Sequence, residues 1–145
     1  TTVAPVTTAT TAPVAPATTQ APAPPTSAAM PTVSLSGFIS PSGNISCAML
    51  GNAARCDVRT RTWTPPPKPA DCQLDWGQGL KVSAQGSGTF VCAGDSIFGQ
   101  TAVLAYGTRS VVGSMTCTST ESGVTCINNA TGHGFAVSRD DYSVF

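Results

Sequence analysis

The sequence predicts an all-β fold: a small antiparallel β-sandwich or barrel, stapled by three disulfides and preceded by a disordered stalk. Three observations carry that expectation. Short runs rich in Val, Ile, Thr, Phe and Tyr alternate with Gly, Asn and Ser turns, and no stretch shows the spacing of an amphipathic helix. The six cysteines, Cys47, Cys56, Cys72, Cys92, Cys117 and Cys126, are even in number and form no Cys-x-x-Cys, so disulfides suit them better than a structural zinc site. The third observation is that the N-terminal region has a different composition from the rest.

Residues 1–33 are almost entirely Thr, Ala, Pro and Val, without an aromatic ring, and Met30 is the one larger apolar side chain before Val33. Such a segment has too little apolar surface to offset the roughly 1–2 kcal/mol per residue lost in ordering a backbone. It therefore reads as a Thr/Ala/Pro-rich stalk, with a reach on the order of 100 Å if extended. Its composition also suits O-glycosylation. A chain opening on Thr1 fits a removed signal peptide or an anchor upstream. Residues 34–145 are then one disulfide-rich β domain.

Within that domain, Leu35–Ile39 is a first strand and Pro41–Asn44 a turn. Ile45–Val58 reads as a hairpin about Gly51-Asn52, a dipeptide suited to a type I′ or II′ turn. That register sets Cys47 opposite Cys56 in a non-hydrogen-bonded pair, where side chains lie closest and a cross-strand disulfide fits. It also puts Ile45, Cys47, Met49, Ala54, Cys56 and Val58 on one apolar face. Ser46, Arg55, Asp57 and Arg59 fall on the other, expected to be wet. Cys117 and Cys126 repeat the same separation around a four-residue loop, Thr120–Gly123, so Met115, Cys117, Val124 and Cys126 share an inner face. Cys72 and Cys92 pair by elimination.

Between the hairpins, Trp63-Thr-Pro-Pro-Pro-Lys-Pro69 cannot be helix or interior strand, because proline fixes φ and lacks a donor. It is an extended surface connection, serving either as a recognition segment or as a lid packed on Trp63 or Trp76. A single helical turn capped by Asp71 and stopped by Gly77 is expected next. Leu80–Ser83 and Thr89–Cys92 flank a glycine-rich turn, and Ala102–Tyr106 and Arg109–Val112 flank Gly107-Thr108. Gly134–Ser138 and Tyr142–Phe145 close the domain.

The charges, seven basic and seven acidic, cancel and form no basic block. Attraction to nucleic acid or anionic lipid therefore has no visible source. No apolar run approaches the roughly 18 residues that span a bilayer, so no membrane insertion by this chain is expected.

Candidate chemistry is sparse. Asp71 and Asp75 beside Trp76, with Trp63 nearby, have the composition of a sugar site, although a helix cap and a core tryptophan account for them more simply. His133, the sole histidine, sits in Gly-His-Gly as a general base, a metal ligand or a plain turn residue. Gly94-Asp95-Ser96 echoes a serine-protease nucleophile phrase, but acyl transfer also needs a base, an orienting carboxylate and an oxyanion hole. Asp140-Asp141 suits a solvated turn better than a carboxylate pair, since neighbours on a strand point to opposite faces. No cofactor and no metal are expected.

The phrases Phe38-Ile-Ser-Pro-Ser-Gly-Asn-Ile-Ser-Cys47, Trp63-Thr-Pro-Pro-Pro-Lys-Pro-Ala-Asp-Cys72, Phe90-Val-Cys-Ala-Gly-Asp95 and Thr131-Gly-His-Gly-Phe135 resemble a family of small exported actinobacterial proteins. Mycobacterial members are among them, and many are lipoproteins or extracytoplasmic domains of membrane-anchored proteins. The family has no assigned activity, so the resemblance implies location and disulfides and no reaction. A stalk of this kind is also similar to those in the extracytoplasmic parts of bacterial receptor kinases. The chain departs from a lipoprotein in lacking a lipid-bearing cysteine at Thr1.

The reading expected from all this is a non-enzymatic extracytoplasmic binding or sensor module of the bacterial cell envelope, acting on an unidentified envelope ligand or protein through the Trp63–Trp76 stretch. A secreted inhibitor of a hydrolase is the alternative from another class, and a hydrolase using His133 is the third.

Overall fold

The computed structural model describes residues 1–5, 8, 9, 11, 12 and 28–145; most of the segment read as a stalk lies outside the described residues. Eleven strands follow in chain order: β1 (Thr32–Val33), β2 (Gly37–Ile39), β3 (Ile45–Leu50), β4 (Ala53–Val58), β5 (Trp76–Val82), β6 (Thr89–Cys92), β7 (Thr108–Val112), β8 (Met115–Thr120), β9 (Gly123–Asn128), β10 (Gly134–Val137) and β11 (Tyr142–Val144). They form two sheets, one ordered β2-β3-β4-β5-β6 and the other β1-β7-β8-β9-β10-β11. Pairing is antiparallel throughout, except that β1 runs parallel to β7.

Both stapled hairpins take the register that alternation demands. Cys47 stands opposite Cys56 and Cys117 opposite Cys126, each bridged pair with Cα atoms 4.1 Å apart. Cys72 is bridged to Cys92, tying the loop that leads into β5 to the end of β6. The hairpins face each other across the core, where Cys56 Sγ and Cys126 Sγ stand 3.6 Å apart. Around them pack Phe38, Met49, Leu80, Met115 and Phe135, all fully buried. The two bridges therefore occupy the middle of the apolar layer, where polarizable sulfur packs as a small hydrophobe.

The structure corrects several expectations. The outer face of β3–β4 is only partly wet, for Arg59 just beyond β4 is exposed while Ser46 and Asp57 are both fully buried there. The loop after β6 covers them. Arg55 grips Asp57 bidentately, Nε to Oδ1 and Nη2 to Oδ2 both at 2.8 Å, and reaches Asp95 Oδ1 at 3.0 Å. The Ile97 amide donates to Asp57 Oδ2, and the Ser46 hydroxyl donates to the Ile97 carbonyl. Burial works against the charge of Arg55, yet its bonds to Asp57 and Asp95 outweigh that and leave its pKa raised. Polar residues at these positions are partners for a covering loop.

The Gly51-Asn52 turn is not of a primed type, since neither residue has positive φ. Its tip is instead held from the opposite sheet, where the Ser114 amide and hydroxyl both donate to the Gly51 carbonyl. The second hairpin turns on Glu121-Ser122 alone, because Thr120 pairs with Gly123. Residues 69–77 form no helix: Cys72 N bonds Pro69 O in a turn, and Gly77, at φ +77°, lies inside β5 beneath Pro65. Any side chain at 77 would collide with that proline ring. The stretch 102–106 makes only an isolated bridge, Val103 with Ile39. Finally, Thr32 and Val33, read as the end of the stalk, already belong to the sheet, because β7 offers them an edge.

Candidate functional site

The Trp63–Trp76 stretch is the first candidate, and its side chains close the domain. Trp63 meets Phe90 and Tyr142 edge to face, at centroid distances of 6.1 and 5.0 Å, and Trp76 lies 5.7 Å from Phe90. The proline segment is strapped over this cluster, with Trp76 Nε1 donating to the Pro66 carbonyl and Trp63 Nε1 to the Ser138 carbonyl. Both indole donors are thus used inside the domain, and the rings act as half-buried struts. Asp71 and Asp75 are exposed on the loop leading to Trp76, and neither side chain is hydrogen-bonded among the described residues. The four residues converge in sequence, but only the two tryptophans share a packing partner.

His133 lies apart, half-buried in the turn between β9 and β10. Its backbone is engaged with Asn128 and Thr131, while its imidazole has no hydrogen bond or ion pair among the described residues. Ser96 is exposed in the loop over β3–β4, next to the Asp95 that Arg55 holds. No bond joins it to His133. Asp140 accepts from the Thr62 hydroxyl, and Asp141 accepts from the Tyr142 amide, so the pair builds a turn. The one close grouping of potential metal ligands among the described residues, Cys47, Cys56 and Cys126, consists of bridged sulfurs, which are not thiolate ligands.

A concavity of about 510 Å³ runs along residues 59–65 beside Trp63, and another of similar size lies at one end of the sandwich. Turns at opposite ends of the sandwich meet different fates. At one end the β3–β4, β5–β6, β7–β8 and β9–β10 turns are knitted together: Ser114 holds Gly51, Asn129 N holds Ser114 O, and Asn128 Nδ2 donates to the carbonyls of Ser83 and Ala84. At the other end the β2–β3, β8–β9 and β10–β11 turns, Thr60 and Tyr106 stand around a cleft of about 580 Å³. That volume is within the usual range of about 300–1,000 Å³ for ligand sites.

The cleft walls are fixed by their own hydrogen bonds. The Asn44 amide clamps the chain beyond β4, donating to Thr60 O at 2.9 Å and accepting from Thr60 N at 2.8 Å. The buried Ser40 hydroxyl accepts from Ile45 N, and the Ser138 hydroxyl accepts from the amides of Asp140 and Asp141. Thr120 and Ser122 hydroxyls bond each other at 2.9 Å. Ile45 lies at the base, and Glu121, Arg139 and Asp140 are the charged groups of the lining. At the same end of β8, the Ser119 hydroxyl is buried and has no hydrogen-bond partner among the described residues. Such a group is costly to leave unpaired.

Sequence reasoning missed Tyr106, Glu121 and Arg139 because five separate segments bring them together. A signal was present in turn parity. In an up-and-down meander successive turns alternate ends, so counting strands sorts the Ser- and Thr-rich turns onto one pole.

A family model matches residues 21–145, a stretch that contains every strand described above; it represents a family of unknown function (DUF6636). No curated protein and no solved structure matches the chain. No helix among the described residues is long and apolar enough to cross a membrane.

Proposed function

The chain belongs to this family of unknown function, DUF6636, and on that premise we propose that it is a non-enzymatic binding module of the bacterial cell envelope that holds an envelope ligand in the open-end cleft. The cleft itself carries the reading: a preformed concavity of about 580 Å³, walled by turns that are braced internally. Rigid walls lose little conformational entropy when a ligand binds, which is the condition for useful affinity from a small contact area. Three disulfides and no free cysteine among the described residues fit an oxidising, extracytoplasmic compartment. The reading favours the cleft over the Trp63–Trp76 stretch as the contact surface, since both indole N–H groups there bond carbonyls within the domain.

Co-sedimentation of the full chain with isolated bacterial cell-wall sacculi tests this. Retention that falls with Tyr106→Ala or Glu121→Gln, and not with Thr125→Ala on the outer face of β9, is the expected result. No retention, or equal retention of all the variants, would overturn the proposal.

A further inference from the structure

Resting on the binding-module reading above, we infer that the cleft is built for a neutral saccharide chain. Three features of its lining converge on that ligand class.

The first is the kind of polar group offered. Side-chain hydroxyls dominate the walls, from Ser42 and Ser122 to the phenol of Tyr106. A hydroxyl is one donor and two acceptor sites, so with Thr120 donating to the Gly123 carbonyl and Ser122 to Thr120, acceptor sites remain on both. A sugar hydroxyl can donate into those acceptor sites. An apolar ligand would strip water from these hydroxyls and leave them unpaired, at roughly 1–3 kcal/mol for each one buried.

The second is charge. Glu121 and Asp140 carry two negative charges against the single positive charge of Arg139. Asp140 is already engaged by Thr62 and lies 3.8 Å from Arg139. A phosphate or another polyanion would meet a net negative lining, whereas a neutral sugar finds an acceptor in Glu121 and donors in Arg139.

The third distinguishes a sugar from a peptide. Peptides dock on rows of unpaired backbone N–H and C=O groups or on apolar pockets. Of the amides in the cleft lining, those of Ser40, Asn44, Ile45, Thr60, Ser138 and Asp140 are bonded within the domain. The lining also offers the carboxylate of Glu121, the guanidinium of Arg139 and the ring of Tyr106, which is 40% exposed. An exposed ring is a platform for the C–H face of a pyranose.

The test is an amide-resolved NMR titration of the full chain with neutral oligosaccharides: a β-1,4 N-acetylglucosamine tetramer, an arabinan, a galactan and a mannan. Polyphosphate and a neutral Ala/Ser peptide serve as the other arms. At least one sugar should shift Tyr106, Glu121, Ser122 and Arg139 together at millimolar concentration or below. Tyr106→Ala and Glu121→Gln should each weaken that binding about tenfold, a loss of about 1.4 kcal/mol, while the melting temperature stays unchanged. If every sugar leaves these amides unmoved, or if sugars shift Asp71, Asp75 and Trp76 instead, the inference is overturned. Cleft-dependent retention on sacculi with silent sugars would leave the binding module standing and remove only its ligand class.

Discussion

The two stapled hairpins, β3–β4 and β8–β9, are built to one plan on the inside and to two plans elsewhere. Both place a disulfide on the inner face at the same register, and the sulfurs touch. On the outside they part. Asp57, the residue after Cys56, is buried in an ion pair beneath a covering loop, while Thr125, the residue before Cys126, stands on a half-exposed face. Their tips differ too: Gly51 is tied to the far sheet by Ser114, whereas Glu121-Ser122 forms part of a cleft wall. Around the bridges the inner face of a hairpin answers to packing, and its outer face and tip answer to whatever the rest of the chain brings there.

The comparison can be broken or sharpened in four ways. Reducing all three bridges removes roughly 3 kcal/mol apiece on the loop-entropy model, which approaches the whole stability of about 5–15 kcal/mol for a small domain. The chain should lose its strand circular dichroism in excess reductant, and a retained signal would contradict the shared inner plan. Asp57→Ala should cost about 3 kcal/mol in urea unfolding, because it leaves Arg55 without its bidentate partner beneath the loop. Thr125→Ala on the other hairpin should cost under about 0.5 kcal/mol. Equal costs would erase the outer-face distinction.

Gly113→Ala, at φ +59° and with its Cβ driven into the Gly51 carbonyl, should cost about 1–3 kcal/mol. Ser122→Ala at the cleft tip should stay within about 0.5 kcal/mol. Ser46→Ala, which deletes the hydroxyl bond to Ile97, should cost about 1 kcal/mol and speed amide exchange in the loop of Asp95 and Ile97. Unchanged exchange would mean that Asp57 alone secures the loop.

The sequence made the inner plan legible because strand alternation has a period of two, so a cysteine and its neighbours fix one another's faces. Even the pairing of Cys72 with Cys92 followed once the local pairs were placed. The outer plan was not legible, since the groups that bury Asp57 arrive from Asp95 and Ile97, some forty residues on. Alternation says which residues share a face and not whether that face is dry. The edge pairing of Thr32 with Arg109 was hidden for the same reason. The cleft was the hardest, because no single segment carries it.

The short parallel strand β1 has a geometric consequence. Thr32 pairs with Arg109, near the start of β7, and the Arg109 amide holds the Pro31 carbonyl. Tyr106 lies three residues before Arg109, so the polypeptide enters the sandwich at the pole where the cleft opens. A ligand seated in the cleft would therefore lie beside the point where the N-terminal segment leaves the domain.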